Sequence, residues 1–228
     1  MGSYKDAADY LPFLTELDRE AELELAGTVF KGWKRKIPDD TALCGVPLYL
    51  AFMHTGQDIK ILEINSRPGD PEIMNLLPVL KDDFVDVCLR MVEGDLKNVA
   101  VEPVATVLTY KVPADYGGYS TVYPSNVDQS EVNTPVDLSK AEALSKKYGG
   151  NIRVYPGSME VRDGKNYALK SRAVGVLGIA DNIEEARQIS LEATQAITGG
   201  ALWSRKDIAA KKHIAKSISH MEKLRGNL

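Results

Sequence analysis

Between residues 43 and 65 two β-rich runs, Leu43 to His54 and Ile59 to Asn65, flank Thr55-Gly56-Gln57-Asp58. Two such runs joined by four residues of turn chemistry predict an antiparallel hairpin. The hairpin constrains what surrounds it, because alternate side chains of a strand point to opposite faces, about 6.6 Å apart for every two residues. Glu63, Asn65 and, if the extended backbone continues, Arg67 share one face. Leu62 and Ile64 take the other and are expected to enter a core. A carboxylate and an amide carbonyl on neighbouring same-face positions are two hard oxygen donors. Magnesium takes one or two such oxygens from protein and the rest from water and substrate phosphates. Arg67 extends the row with a planar cation suited to a carboxylate or phosphate. Pro68-Gly69-Asp70-Pro71-Glu72 comes next, where glycine permits a tight turn and proline opens a helix. The N-terminus of that helix is expected to offer backbone donors to the same place. A lone Glu-x-Asn-x-Arg is more simply an exposed strand face; the turn beside it favours a site.

Elsewhere Met1-Gly2-Ser3-Tyr4 reads as an irregular lead-in. Thr15 is placed to cap a helix through Lys31, with Glu16, Asp18 and Glu20 near its start, where acidic groups favour the dipole. Pro38-Asp39-Asp40 predicts a loop. A helical pattern opens at Pro71-Glu72, and Asp82 or Asp83 caps another running to Gly94. Val101 to Val112 predicts a strand, and residues 113 to 135, dense in Gly, Pro, Ser and Asn, a loop. Strands are predicted over Asn151 to Tyr155, Met159 to Arg162 and Asn166 to Ile179, with Arg162-Asp163-Gly164-Lys165 as a hairpin turn. Asp181 or Asn182 caps a helix to about Thr198, and a last helix starts after Asp207. Strands and helices without regular βαβ alternation predict an α+β chain whose two structural units meet near residues 97 to 102.

At 228 residues with 44% hydrophobic and 26% charged side chains, the chain can build one large domain or two modest ones. A net charge of −4 gives no general attraction for a phosphate backbone, and no nucleic-acid partner is expected. The basic run from Arg205 to Arg225 reads as a solvated helix face. Cys44 and Cys88 each lie in an apolar run, where free cysteine behaves as a small hydrophobe. That usage, with neither a signal-like start nor an 18-residue apolar stretch, predicts a cytoplasmic protein outside any membrane. His54, His213 and His220 are too scattered for a metal site. Arg172, in the long strand predicted from Asn166, is either a strand-edge ion-pair partner or a cation reaching toward phosphates.

Glu63-Ile64-Asn65-Ser66-Arg67-Pro68-Gly69-Asp70-Pro71-Glu72, with Leu77-Pro78-Val79-Leu80-Lys81-Asp82-Asp83 after it, resembles the ATP-grasp signature of the glycinamide ribonucleotide synthetase family. Met1-Gly2-Ser3-Tyr4 resembles the end of that family's glycine-rich segment, and Leu11-Pro12-Phe13 resembles the stretch just beyond that segment in archaeal-type members. Ser171-Arg172-Ala173-Val174 and Arg205-Lys206-Asp207-Ile208 resemble two landmarks of its C-terminal domain. Pro68 departs from the phenylalanine usual in the family, which stiffens the turn and removes an aromatic wall.

The resemblance implies the C-terminal half of an ATP-grasp module, an antiparallel sheet backed by helices, over residues 1–99, and a smaller α+β ligase C-terminal domain over 100–228. It implies a ligase that phosphorylates glycine with ATP and passes the glycyl group to 5-phosphoribosylamine in purine biosynthesis. Glu63 and Asn65 match the family's ligands for Mg2+ or Mn2+, Arg67 and Asp70 its substrate-facing positions, and Arg172 is placed toward the ATP phosphates. The family's substrate domain, glycine-rich lid and adenine-holding hinge lie outside these 228 residues. The resemblance therefore implies a piece of a longer protein, or a split subunit that needs an amino-terminal half. Another ATP-grasp ligase, such as a carboxylase-type member acting on bicarbonate, and a non-catalytic subunit retaining the fold are the alternatives.

Overall fold

The computed structural model describes residues 1–8, 10–37, 43–56, 58–118 and 128–226. In chain order its elements are β1 (Gly2–Lys5), α1 (Glu16–Lys34), β2 (Tyr49–His54), β3 (Ile59–Asn65), α2 (Ile73–Leu76), α3 (Phe84–Glu93) and β4 (Ala105–Pro113). There follow α4 (Ser139–Ala143), α5 (Ser145–Tyr148), β5 (Ile152–Pro156), β6 (Met159–Arg162), β7 (Lys165–Ala168), β8 (Val174–Ala180), α6 (Ile183–Ala196), β9 (Leu202–Trp203) and α7 (Lys211–Gly226). The chain is α+β, with antiparallel pairing throughout the named strands. The loop expected at Pro38-Asp39-Asp40, residue Gln57 of the expected turn, and residues 119–127 of the expected long loop lie outside the described residues.

One compact unit comprises Met1–Asp9 and Pro103–His213. Its sheet runs β1-β4-β8-β5, with β9 on the end of β4. The two middle strands are rich in β-branched residues and buried on both faces, Leu108 and Leu177 on one, Val107 and Val176 on the other. Along the second face runs α6, capped by Asn182, whose side chain accepts from the Glu185 amide at 3.0 Å. Ser190 of α6 reaches the sheet, donating to the Val176 carbonyl at 2.9 Å. The hairpin β6–β7 turns at Asp163 and Gly164, with φ of 49° and 71°, the left-handed pair that a two-residue turn demands.

Three expectations change in this unit. Residues 2–5 form a strand, because β4 offers a partner a hundred residues away: Gly2 stands opposite Thr109 and Lys5 opposite Thr106. The run from Asn166 to Ile179 splits into β7 and β8. Between them the chain turns so that the Arg172 and Ala173 carbonyls accept from the Ser158 and Gly157 amides, each at 2.7 Å. Arg172 therefore sits in a connection, not in a long strand.

The other unit comprises Tyr10–Glu102 and Ile214–Leu228. Thr15 and Asp18 form a reciprocal capping box at the start of α1, the Asp18 carboxylate accepting from the Thr15 amide at 2.7 Å. Arg225 of α7 pairs with Asp18 and donates to the Phe13 carbonyl at 2.8 Å. His54 lies 2.8 Å from the Glu22 carboxylate, a satisfied histidine. Asp83 caps α3 by accepting from the Val85 and Asp86 amides, and Gly94, with φ of 73°, ends it. Both cysteines are exposed. Among the described residues no helix is long and apolar enough to cross a membrane.

The helix packs closest on the sheet at Gly178, where a Cβ would lie 2.1 Å from the Ala186 carbonyl oxygen and 2.8 Å from the Ser190 nitrogen, both backbone atoms of α6. Gly178→Ala is expected to push the helix off the sheet and lower stability by about 1–3 kcal/mol, the usual cost of overpacking. A lower urea midpoint with an unchanged slope checks this.

Candidate functional site

The site is built on β2 and β3. From the turn, His54 pairs with Ile59, Met53 with Lys60 and Phe52 with Ile61, after which the register shifts and Ala51 pairs with Glu63. Leu62 is thus the extra residue of a bulge, which leaves one residue unpaired and re-aims those beyond it. Past it Leu50 pairs with Ile64 and Tyr49 with Asn65. Directly opposed residues share a face, so Glu63 and Asn65 stand beside Ala51 and Tyr49. The small Ala51 leaves the Glu63 carboxylate room, and Glu63 is exposed.

The opposite face departs from expectation. Leu62 is 60% exposed and Ile64 37%; they do not enter a core. Asn65 is half-buried, and its Nδ2 is sealed from solvent without a hydrogen-bond partner. An orphaned buried amide group is costly. Exchanging the two amide atoms, which are interchangeable in shape, puts Oδ1 at that position, an acceptor with no partner.

Beyond β3 the chain folds back on β2. Gly69 is buried, and a Cβ there would lie 2.8 Å from two carbons of the Tyr49 ring and 2.6 Å from Glu72 Oε2. Glycine is required for this close approach; its φ is not in the left-handed region. The Tyr49 hydroxyl hydrogen-bonds the Glu72 carboxylate, and burial first, then Glu72 and Glu63, push its phenol up to about 12, with Arg67 acting in the opposite sense. Tyr49, Glu63, Arg67 and Glu72 therefore lie within one electrostatic neighbourhood. Arg67 is exposed, its guanidinium donating to the Pro68 carbonyl at 2.8 Å. Asp70 is exposed beside Pro71, and the peptide between them is cis.

The helix expected to point donors at the site is the single turn α2. Its first amides are used internally, Ile73 to the Gly69 carbonyl at 2.9 Å, Met74 to Pro71 at 3.1 Å and Asn75 to Glu72 at 3.0 Å. It supplies no anion-binding end.

The structure thus brings Glu63, Asn65 and Arg67 together and adds Tyr49 and Glu72. Tyr49 was unmarked in the sequence, since only the bulged register sets it opposite Asn65. Arg172 belongs to the other compact unit, where it acts electrostatically, with Arg205 and Asp207, on the Met1 amino group.

The donors suit a hard divalent cation: one exposed carboxylate and one amide with a free position. Among the described residues no group of three or more His, Cys, Asp and Glu could hold a metal, so a cation here would draw its remaining oxygens from elsewhere.

No protein-family model matches the chain. It is 37% identical over 232 residues to a phosphoribosylamine–glycine ligase of Methanocella arvoryzae, an alignment covering 99% of this chain and 48% of that protein. It is 40% identical over 227 residues to that of Methanocaldococcus jannaschii, covering 99% and 47%. The chain is homologous to one half of a phosphoribosylamine–glycine ligase. It spans about half the length of the curated relatives it matches. The phosphoribosylamine–glycine ligase of Thermotoga maritima shares the fold, with a TM-score of 0.53 and 22% identity over 71% of this chain and 36% of that one.

The half-buried Tyr49 phenol gives a pH signature. An unfolded tyrosine loses its proton near 10, whereas the folded one holds it to about 12. Its contribution is present in full below pH 10 and is lost as pH rises toward 12. Tyr4 and Tyr155 are also raised by burial, so a residual slope is expected without Tyr49. Urea unfolding of wild type and Tyr49→Phe between pH 9 and 12 should give a shallower decline for the variant; equal slopes would remove Tyr49 from this role.

Proposed function

We propose that this chain supplies one half of an ADP-forming carboxylate–amine ligase that joins glycine to 5-phosphoribosylamine in purine biosynthesis. The observation that carries the reading is the similarity, over 99% of the chain, to proteins named phosphoribosylamine–glycine ligase. Residues 1–99 are read as the second half of the ATP-grasp domain and 100–228 as the ligase C-terminal domain. The lid over the ATP phosphates and the segment holding adenine come from an amino-terminal half. A cytoplasmic setting suits that role.

In this reading a glycine carboxylate oxygen attacks the γ-phosphorus of ATP, the bond from that phosphorus to the ADP oxygen breaks, and glycyl phosphate forms. The phosphoribosylamine nitrogen then attacks the acyl carbon, the carbon–oxygen bond to phosphate breaks, and the nitrogen gives up a proton. Glu63, through its exposed carboxylate, and Asn65, through its amide oxygen, would hold Mg2+ or Mn2+. Such a cation, when bound, would supply positive charge against that developing on the transferred phosphoryl group. Tyr49 and Ala51, across the ribbon, fix the wall behind these donors, and the Tyr49–Glu72 bond holds the turn against it. The Arg67 guanidinium steadies the glycine carboxylate or the acyl phosphate. Asp70 faces the amine, and Arg172 is assigned to the ATP phosphates.

The test is turnover with ATP, glycine and phosphoribosylamine by the chain alone, by the chain with an added amino-terminal half, and by that mixture carrying Glu63→Gln. No turnover is expected alone, turnover with the half, and a loss of at least about a hundredfold with the substitution, as for groups that bind a reacting centre. Full activity of the chain alone would overturn the need for a second half. Normal turnover of the substituted mixture would overturn the metal assignment.

A further inference from the structure

The two compact units bury their apolar residues very differently. Among the described residues, all but three of the buried apolar side chains belong to the unit of Met1–Asp9 and Pro103–His213; the exceptions are Val79, Val87 and Met221. Conversely, all but three of the exposed large apolar side chains belong to the unit of Tyr10–Glu102 and Ile214–Leu228. Scattered exposed apolar residues are ordinary, but a concentrated set marks an interaction surface.

The concentration is greatest on α3. At helical spacing its apolar residues form one broad arc, with Asp86, Arg90 and Glu93 on the remaining face. Only one edge of that arc is used: Val87 is buried and Met91 half-buried. The rest points outward, with Phe84 54%, Val85 66%, Leu89 56% and Val92 65% exposed. At the C-terminal end of the arc lies a groove of about 540 Å³ lined by Phe30, Leu43, Val46, Leu48, Met91 and Leu96. The two surfaces adjoin, since the Gly45 amide donates to the Met91 carbonyl at 2.9 Å and Gly45 stands against Val92.

We propose that this arc and groove are the docking surface for the half of the ligase that the chain does not match, whether that half is joined to it or separate. The inference rests on the reading of the chain as half of such a ligase. The length relation names the occupant. The relatives are about twice as long as this chain, and match it along 99% of its length, so the additional polypeptide is of domain size. It must also meet the unit whose apolar groups are left on the surface. An interface of this kind carries an apolar centre and a polar rim, which the Asp86, Arg90 and Glu93 face provides.

Cys88 lies between Phe84 and Val92 on the same arc, is exposed, and with Cys44 makes the full complement of two cysteines. In a Cys44→Ala background it reports on cover. The experiment combines that chain with the unmatched part of the Methanocaldococcus jannaschii relative, produced separately and first shown to be folded by circular dichroism and a cooperative melt, and follows binding and alkylation of Cys88. Binding is expected, with alkylation slowed at least about tenfold. Val85→Glu with Leu89→Lys, an opposite-charge pair one turn apart in the order that supports the helix, should weaken binding by at least about tenfold. Its far-UV circular dichroism should be unchanged. Val161→Glu, on β6 in the other unit, should bind normally.

Absence of binding, binding that leaves Cys88 reactive, or normal binding by the double variant would each overturn the proposal. So would protection of Cys88 that rises with the chain's own concentration in the absence of the added part, which would make a second copy the occupant. Docking through α3 without turnover would count against the ligase reading alone; turnover retained by the double variant with Cys88 reactive would count against the docking surface alone.

Discussion

The pairing of Tyr49–His54 with Ile59–Asn65, and the bulge at Leu62 within it, decides which side chains of the motif can act together. A regular ladder from the turn would have set Tyr49 against Ile64 and turned the ring to the other face. The extra residue moves it opposite Asn65, and from there the chain can fold back so that Gly69 lies under the ring and Glu72 meets the hydroxyl. The joint placing of Glu63, Asn65 and Arg67 beside that ring depends on the one-residue shift, since slipping a strand by one exchanges its faces. The motif is held by the ribbon and its folded-back turn. The short helix after it uses its amides on its own carbonyls.

What could be read from residue order was what local chemistry decides. Thr15 with Asp18, Asp83, Asn182, Gly94 and the Asp163-Gly164 turn each act as their types suggest, because a cap or a tight turn is closed by atoms a few residues apart. The hairpin belongs to this class, and so does the same-face placing of Glu63 and Asn65. What could not be read depends on partners distant in the chain. Gly2–Lys5 is a strand only because β4 offers it an edge. The break before β8 occurs where the Arg172 and Ala173 carbonyls are claimed by residues 157 and 158, and with it Arg172 leaves the strand in which its spacing had placed it. The bulge is illegible for a related reason: nothing in Ile61-Leu62-Glu63 announces which residue will be left unpaired.

The exposure of Leu62 and Ile64 has a different origin. Alternation correctly puts them opposite Glu63 and Asn65, but a period says only which residues share a face. It does not say that the face will be covered. Cover is a property of what else the polypeptide brings, and the ribbon is two strands with no further neighbour in its sheet among the described residues. Two strands alone are marginal in water. The same holds for α3, whose composition asks for an apolar partner along an arc only partly used.

Both features are explained once a core is treated as a balance of surfaces. The four-strand path β1-β4-β8-β5 with α6 closes on itself: its middle strands are buried on both sides, and the glycine at 178 lets the helix approach to backbone contact. The unit that carries the motif does not close in this way, although its caps at Thr15 and Asp83 are made and its turn at Gly69 is tightly packed. Its caps close locally, while its apolar surface is left largely uncovered. The orphaned Asn65 amide adds a polar counterpart on the motif face: a group kept dry and unpaired costs free energy, and that cost is offset where a ligand completes it.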